Sequence, residues 1–75
     1  MTIASVVVAT EVGAMEAVRA GLAGLPGTEV YGARGNEIIT VLEADSLADL
    51  TCGMERLAAL PQVVGVYPVY AGNDE

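Results

Sequence analysis

The sequence predicts an α+β fold, a two-layer sandwich in which two helices pack on one face of a four-stranded antiparallel sheet. Three observations carry this. Short β-branched runs bounded by turn residues alternate with stretches of helical period. A Leu-Pro-ended pattern occurs twice, since Leu22-Ala-Gly-Leu-Pro26 returns as Leu57-Ala-Ala-Leu-Pro61, 35 residues on. The 75 residues allow one core and no second domain, so residues 1–75 form a single unit.

Ile3 to Thr10 is short and β-branched, which suits a strand. From Val12 to Gly24 the period changes, with Met15, Val18, Leu22 and Leu25 on one stripe and Glu16, Ala17 and Ala20 opposite. Thr10 or a neighbour is expected to cap this helix, and Gly24 with Pro26 to end it. Gly13 and Gly21 weaken the helix by up to about 1 kcal/mol each relative to Ala, so it depends on docking.

Thr28 to Arg34 reads as the second strand and Glu37 to Glu43 as the third, joined by Gly35-Asn36. Both turn residues tolerate the positive φ that a tight hairpin uses. Ser46 is placed to cap a second helix, with Asp49 near its unpaired amides and Leu47, Leu50, Met54 and Leu57 as its buried stripe. Val63 to Tyr70 is the last strand, and residues 71–75 are expected to be a frayed polar tail.

Each half is therefore strand–helix–strand. Two such units joined by a hairpin give the βαββαβ, or ferredoxin-like, sandwich. Right-handed crossovers put both helices on one sheet face, with strand order 4-1-3-2. Nothing remains to cover the other face, which should then be polar at alternate positions. It is not, because either parity of the first strand exposes valine (Val7, or Val6 and Val8). A partly apolar open face of this kind marks a contact surface.

Composition narrows what such a face can meet. Three Arg, no Lys, no His and ten Asp or Glu give a charge of −7. Such a domain repels nucleic acid and anionic membrane surfaces. No apolar run approaches a membrane span, and no basic residue precedes the Ile3–Val8 run as in a secretory signal. A cytoplasmic location and no membrane insertion are expected.

The residues for catalysis are few. Without His or Lys there is neither the usual general base nor a Schiff-base amine. Cys52, the single thiol, falls opposite Leu50 and Met54 on the helical wheel and reads as an incidental exposed group. The paired cysteines that copper carriers of this fold place after the first strand are missing from Thr10-Glu-Val-Gly13. The carboxylate pairs Glu43/Asp45 and Asp74/Glu75 read as solvated charge, and Gly32-Ala-Arg-Gly35 sits at a hairpin, not at the start of a helix where phosphate binds. No enzyme activity, metal or cofactor is expected.

The motifs now assembled resemble the NapD family, small cytoplasmic chaperones for the catalytic subunit of periplasmic nitrate reductase. The resemblance rests on Ser5-Val-Val-Val8, Leu25-Pro-Gly-Thr-Glu-Val-Tyr31, Thr40-Val-Leu-Glu-Ala-Asp45, Leu60-Pro-Gln-Val63 and Val69-Tyr70, and spans residues 3–70. Pro68 departs from a regular strand and fits only an edge, which the strand order provides. The resemblance implies a monomer or weak homodimer that binds the twin-arginine signal peptide of that subunit. It would delay export until the cofactors are inserted. A second reading is a small-ligand-binding or dimerisation domain of the ACT or Lrp-regulator kind, whose hairpin region Val30-Tyr-Gly-Ala-Arg-Gly-Asn36 resembles.

For the faces, Ala4, Val6, Val8, Val30, Val64 and Val66 are expected to meet the helices. Ser5, Val7, Gly65, Tyr67 and Val69 should line the open face as the peptide-binding surface. Ile39 and Val41 join them, because Glu37 and Glu43 share their parity and would be costly to bury.

Overall fold

A computed structural model describes residues 2–73, with side chains over residues 2–69. The elements run β1 (Thr2–Thr10), α1 (Met15–Ala23), β2 (Thr28–Arg34), β3 (Glu37–Ala44), α2 (Leu47–Ala58) and β4 (Val63–Asn73). The sheet is antiparallel in order β2-β3-β1-β4, the expected 4-1-3-2 order in the opposite direction. β4 continues three residues past Tyr70, with Ala71, Gly72 and Asn73 paired to Ala4, Ile3 and Thr2. Asp74 and Glu75 lie outside the described residues.

The core lies between the sheet and the helices. β1 contributes Ala4, Val6 and Val8, β3 contributes Ile38 and Leu42, α1 contributes Val18 and Leu22, and α2 contributes Leu50 and Leu57. Strict alternation of burial along β1 shows one face dry and one half-open. Thr40 is fully buried on the helix side between Val6 and Val30, and its hydroxyl has no hydrogen-bond partner. An orphaned hydroxyl of this kind costs about 1–3 kcal/mol.

Besides residues 71–73, which pair in β4 where the sequence predicts a frayed tail, three sequence expectations fail for identifiable reasons. Thr10 does not cap α1; the N-cap is Ala14, which makes no side-chain cap. After Thr10 the chain turns, with the Ala14 N–H donating to the Glu11 carbonyl at 3.1 Å and Gly13 at φ +82°. That turn, with glycine in its third place, delays the helix to Met15. The Thr10 hydroxyl donates instead to the Glu11 and Asn36 carbonyls.

Leu47 is not in the core but 67% exposed. It is the first residue of α2, and helical side chains lean toward the N-terminus, where here there is no preceding turn to cover it. Val64 does not face the helices and is 61% exposed. The β1–β4 register shifts between Ala9 and Thr10, whose partners are Gly65 and Val63, so Val64 is the extra residue of a bulge. Val63 packs against the core in its place, and Val66, opposite Val8, does so as expected.

Other local expectations hold. The Ser46 side chain accepts the Asp49 N–H at 3.1 Å. In the hairpin turn only Gly35 takes positive φ, as a turn with glycine in its first central place requires. The Leu-Pro repeat closes each helix with a similar turn, in which Gly27 and Gln62 adopt φ +72° and +69°.

Candidate functional site: the open sheet face

The register fixes the open face row by row. Val7 lies between Ile39 of β3 and Tyr67 of β4, and Gly32 of β2 extends that row beyond Ile39. Ser5 lies beside Val41, which is followed by Glu29. Ala9 lies between Glu37 and Gly65, and Ile3 faces Glu43. With strands about 4.8 Å apart, the Ile39–Val7–Tyr67 row is about 10 Å across, the width of an extended or helical segment.

Ser5, Val7, Ile39, Val41, Gly65 and Tyr67 therefore share one surface. Val7 and Val41 are half-buried by their neighbours, while Ile39 and Tyr67 are exposed. Val69 differs. The register shifts again between Ser5 and Val6, paired with Tyr70 and Pro68, so Val69 is an unpaired bulge residue, 70% exposed. Strand pairing does not seat it in a row of this face. Ile3 belongs to the surface as well, by the same parity as Ser5 and Val7. Tyr67 lies over Gly65, and a Cβ added at Gly65 would come within 2.8 Å of the Tyr67 ring. The glycine is thus the bed for the ring.

Charge is at the margin of this face. Glu37 and Glu43 stand at opposite ends of β3, and Glu29 on the outer strand. Arg34, opposite Glu37, is the cation of the face among the described residues. The middle rows stay apolar. The face is shallow, its hollow beside Glu29, Val41 and Glu43 enclosing about 150 Å³. Chemically it suits an elongated segment with an apolar stretch and adjoining positive charge.

The larger groove, about 360 Å³, lies by α2 and is lined in part by Asp45, Asp49, Cys52 and Arg56. Cys52 is a free, exposed thiol. No group of His, Cys, Asp or Glu among the described residues is arranged to hold a metal. No helix among them is long and apolar enough to cross a membrane.

A model of the NapD protein family matches residues 1–75. The solution structure of the E. coli Tat proofreading chaperone protein NapD is similar at a TM-score of 0.86 and 25% identity, covering 97% of this chain and 79% of that one. A crystal structure of a hypothetical protein from Pyrococcus horikoshii shares the fold at a TM-score of 0.78 and 22% identity, covering 100% of this chain and 93% of its own. No curated protein sequence is significantly similar to this chain.

Proposed function

The chain belongs to the NapD family, and from that premise we propose that its open sheet face binds a twin-arginine signal peptide. The client is the catalytic subunit of periplasmic nitrate reductase, and binding in the cytoplasm holds the peptide back from export until cofactors are inserted. The observation that carries this reading is an apolar row, Ile39–Val7–Tyr67, on a face whose margin holds three glutamates. A twin-arginine peptide has the complementary order, paired guanidinium groups followed by an apolar stretch.

Each part has a physical role. Burial of the apolar stretch contributes about 25 cal/mol per Å² and most of the affinity. Arg–carboxylate hydrogen bonds at Glu29, Glu37 or Glu43 set the direction of the peptide. Masking works by occlusion, and no bond is made or broken. The hollow on this face, about 150 Å³, is smaller than the roughly 300 Å³ or more of pockets that enclose a small effector, which favours a segment laid across the surface.

Calorimetric titration with a twin-arginine peptide tests this, with the paired Arg changed to Gln as control. We expect saturable binding that Val7→Glu weakens by at least about tenfold, since it buries a carboxylate against the apolar stretch. The variant's thermal midpoint should stay near that of the native chain, because Val7 is on the solvent side of the sheet. Affinity unchanged by Val7→Glu removes the open face from the reading, and no binding of either peptide removes the reading itself.

A further inference from the structure

The two edges of the sheet are unlike. β4 is interrupted for pairing by Pro68 and by two register shifts, devices that blunt an edge. β2 has no proline, and its single irregularity is at Tyr31. Its outward main-chain groups can be assigned. The Gly27 carbonyl accepts the Glu43 N–H at 2.8 Å, so Gly27 turns toward β3 and alternation turns Thr28 and Val30 outward. At the other end Arg34 and Glu37 flank the two-residue turn as its closing pair, which turns Ala33 outward.

We propose that β2 is a self-pairing edge, through which two copies of this chain join antiparallel about a two-fold axis between Tyr31 and Gly32. In that register Val30 of each copy exchanges main-chain hydrogen bonds with Ala33 of the other. Glu29 then stands opposite Arg34, and Arg34 opposite Glu29. Both side chains already lie on the open-face side, Glu29 beside Val41 and Arg34 beside Glu37, so they meet on one surface. Tyr31, 68% exposed, comes beside the second copy's Gly32. There an added Cβ meets nothing within 4 Å other than the glycine's own chain neighbours, so a ring has room.

The occupant follows from the order of charges. Glu29 and Arg34 are equidistant from the axis, so one acid and one base become two opposed pairs only when the strand meets its own reverse. The net charge of −7 on each copy opposes approach at long range, so the association is weak and is sought at concentrations up to about 1 mM. This inference does not rest on the peptide reading, since its main-chain pairing uses an edge, although Glu29 takes part in both.

Sedimentation equilibrium on the full chain tests it. The native chain should rise toward twice its 7.6 kDa as concentration approaches about 1 mM. Arg34→Glu, which sets Glu against Glu, should weaken association by about tenfold or more, and the swap Glu29→Arg with Arg34→Glu should restore it. Amide exchange at Val30 and Ala33 should slow with concentration in the native chain. A chain that stays monomeric at about 1 mM, or a dimer indifferent to Arg34→Glu, overturns the proposal. Protection of those amides only when a twin-arginine peptide is added also overturns it, and gives the edge to that segment.

Discussion

The turns that lead from each helix into an edge strand share a backbone and differ in what they tolerate. Leu25-Pro-Gly-Thr28 and Leu60-Pro-Gln-Val63 place proline second and a positive-φ residue third, the arrangement of a type II turn. The Gly27 carbonyl accepts the Glu43 N–H and the Gln62 carbonyl accepts the Glu11 N–H, so each turn docks on the end of a central strand. Yet a Cβ at Gly27 would sit 2.5 Å from the Glu43 carbonyl oxygen, whereas Gln62 carries a side chain at the same φ. Glycine in the first half answers a steric demand as well as a dihedral one. In the second half only the dihedral cost remains, and docking of the turn holds it.

Leu22 and Leu57 occupy equivalent places and are both fully buried. Truncating either to Ala should cost about 3 kcal/mol or more, enough in a domain this small to populate the unfolded state. Urea unfolding of Leu22→Ala beside Leu57→Ala checks whether the halves contribute equally; a loss below about 1 kcal/mol in one would show that its half is not part of the shared core.

Gly27→Gln should cost about 2–3 kcal/mol, combining left-handed strain with the clash on the Glu43 carbonyl. Ser46→Ala removes the cap of α2 and should cost about 1 kcal/mol. α1 has no side-chain cap to lose, so its first turn should exchange amide hydrogens faster than that of α2. Gln62→Gly should stabilise the chain by about 0.5 kcal/mol, since relief of strain exceeds the added freedom of the unfolded glycine. A loss of stability there would mean that the glutamine side chain contributes contacts of its own.

How much of this was readable in the sequence depends on chain locality. Helix stripes and the placement of Val7, Ile39 and Val41 follow from period and parity, and the Ser46 cap from local spacing, all near-neighbour signals. The strand order follows from the handedness of the two crossovers. Two of the failures, Val64 and Val69, lie where a second strand decides. A bulge inserts one residue against a partner, so the alternation that placed Val6 and Val8 correctly misplaced Val64 and left Val69 outside the rows. The Thr10 cap failed because Gly13 builds a turn before the helix, and Leu47 because a stripe does not reveal where the sheet beneath it ends. The 35-residue echo holds from helix to turn, but an odd shift cannot carry β1 onto β3 with faces preserved: Val6 is buried, whereas Val41 is on the open side.

The ring of Tyr67 resting on Gly65 has an experimental use. The chain contains no tryptophan and only three tyrosines, so its intrinsic ultraviolet emission comes from phenols, one of which lies in the row with Val7. Any segment that settles there must either stack on that ring or lift it from its glycine bed. Either event changes the quantum yield, so occupancy of the surface can be followed without attaching a dye.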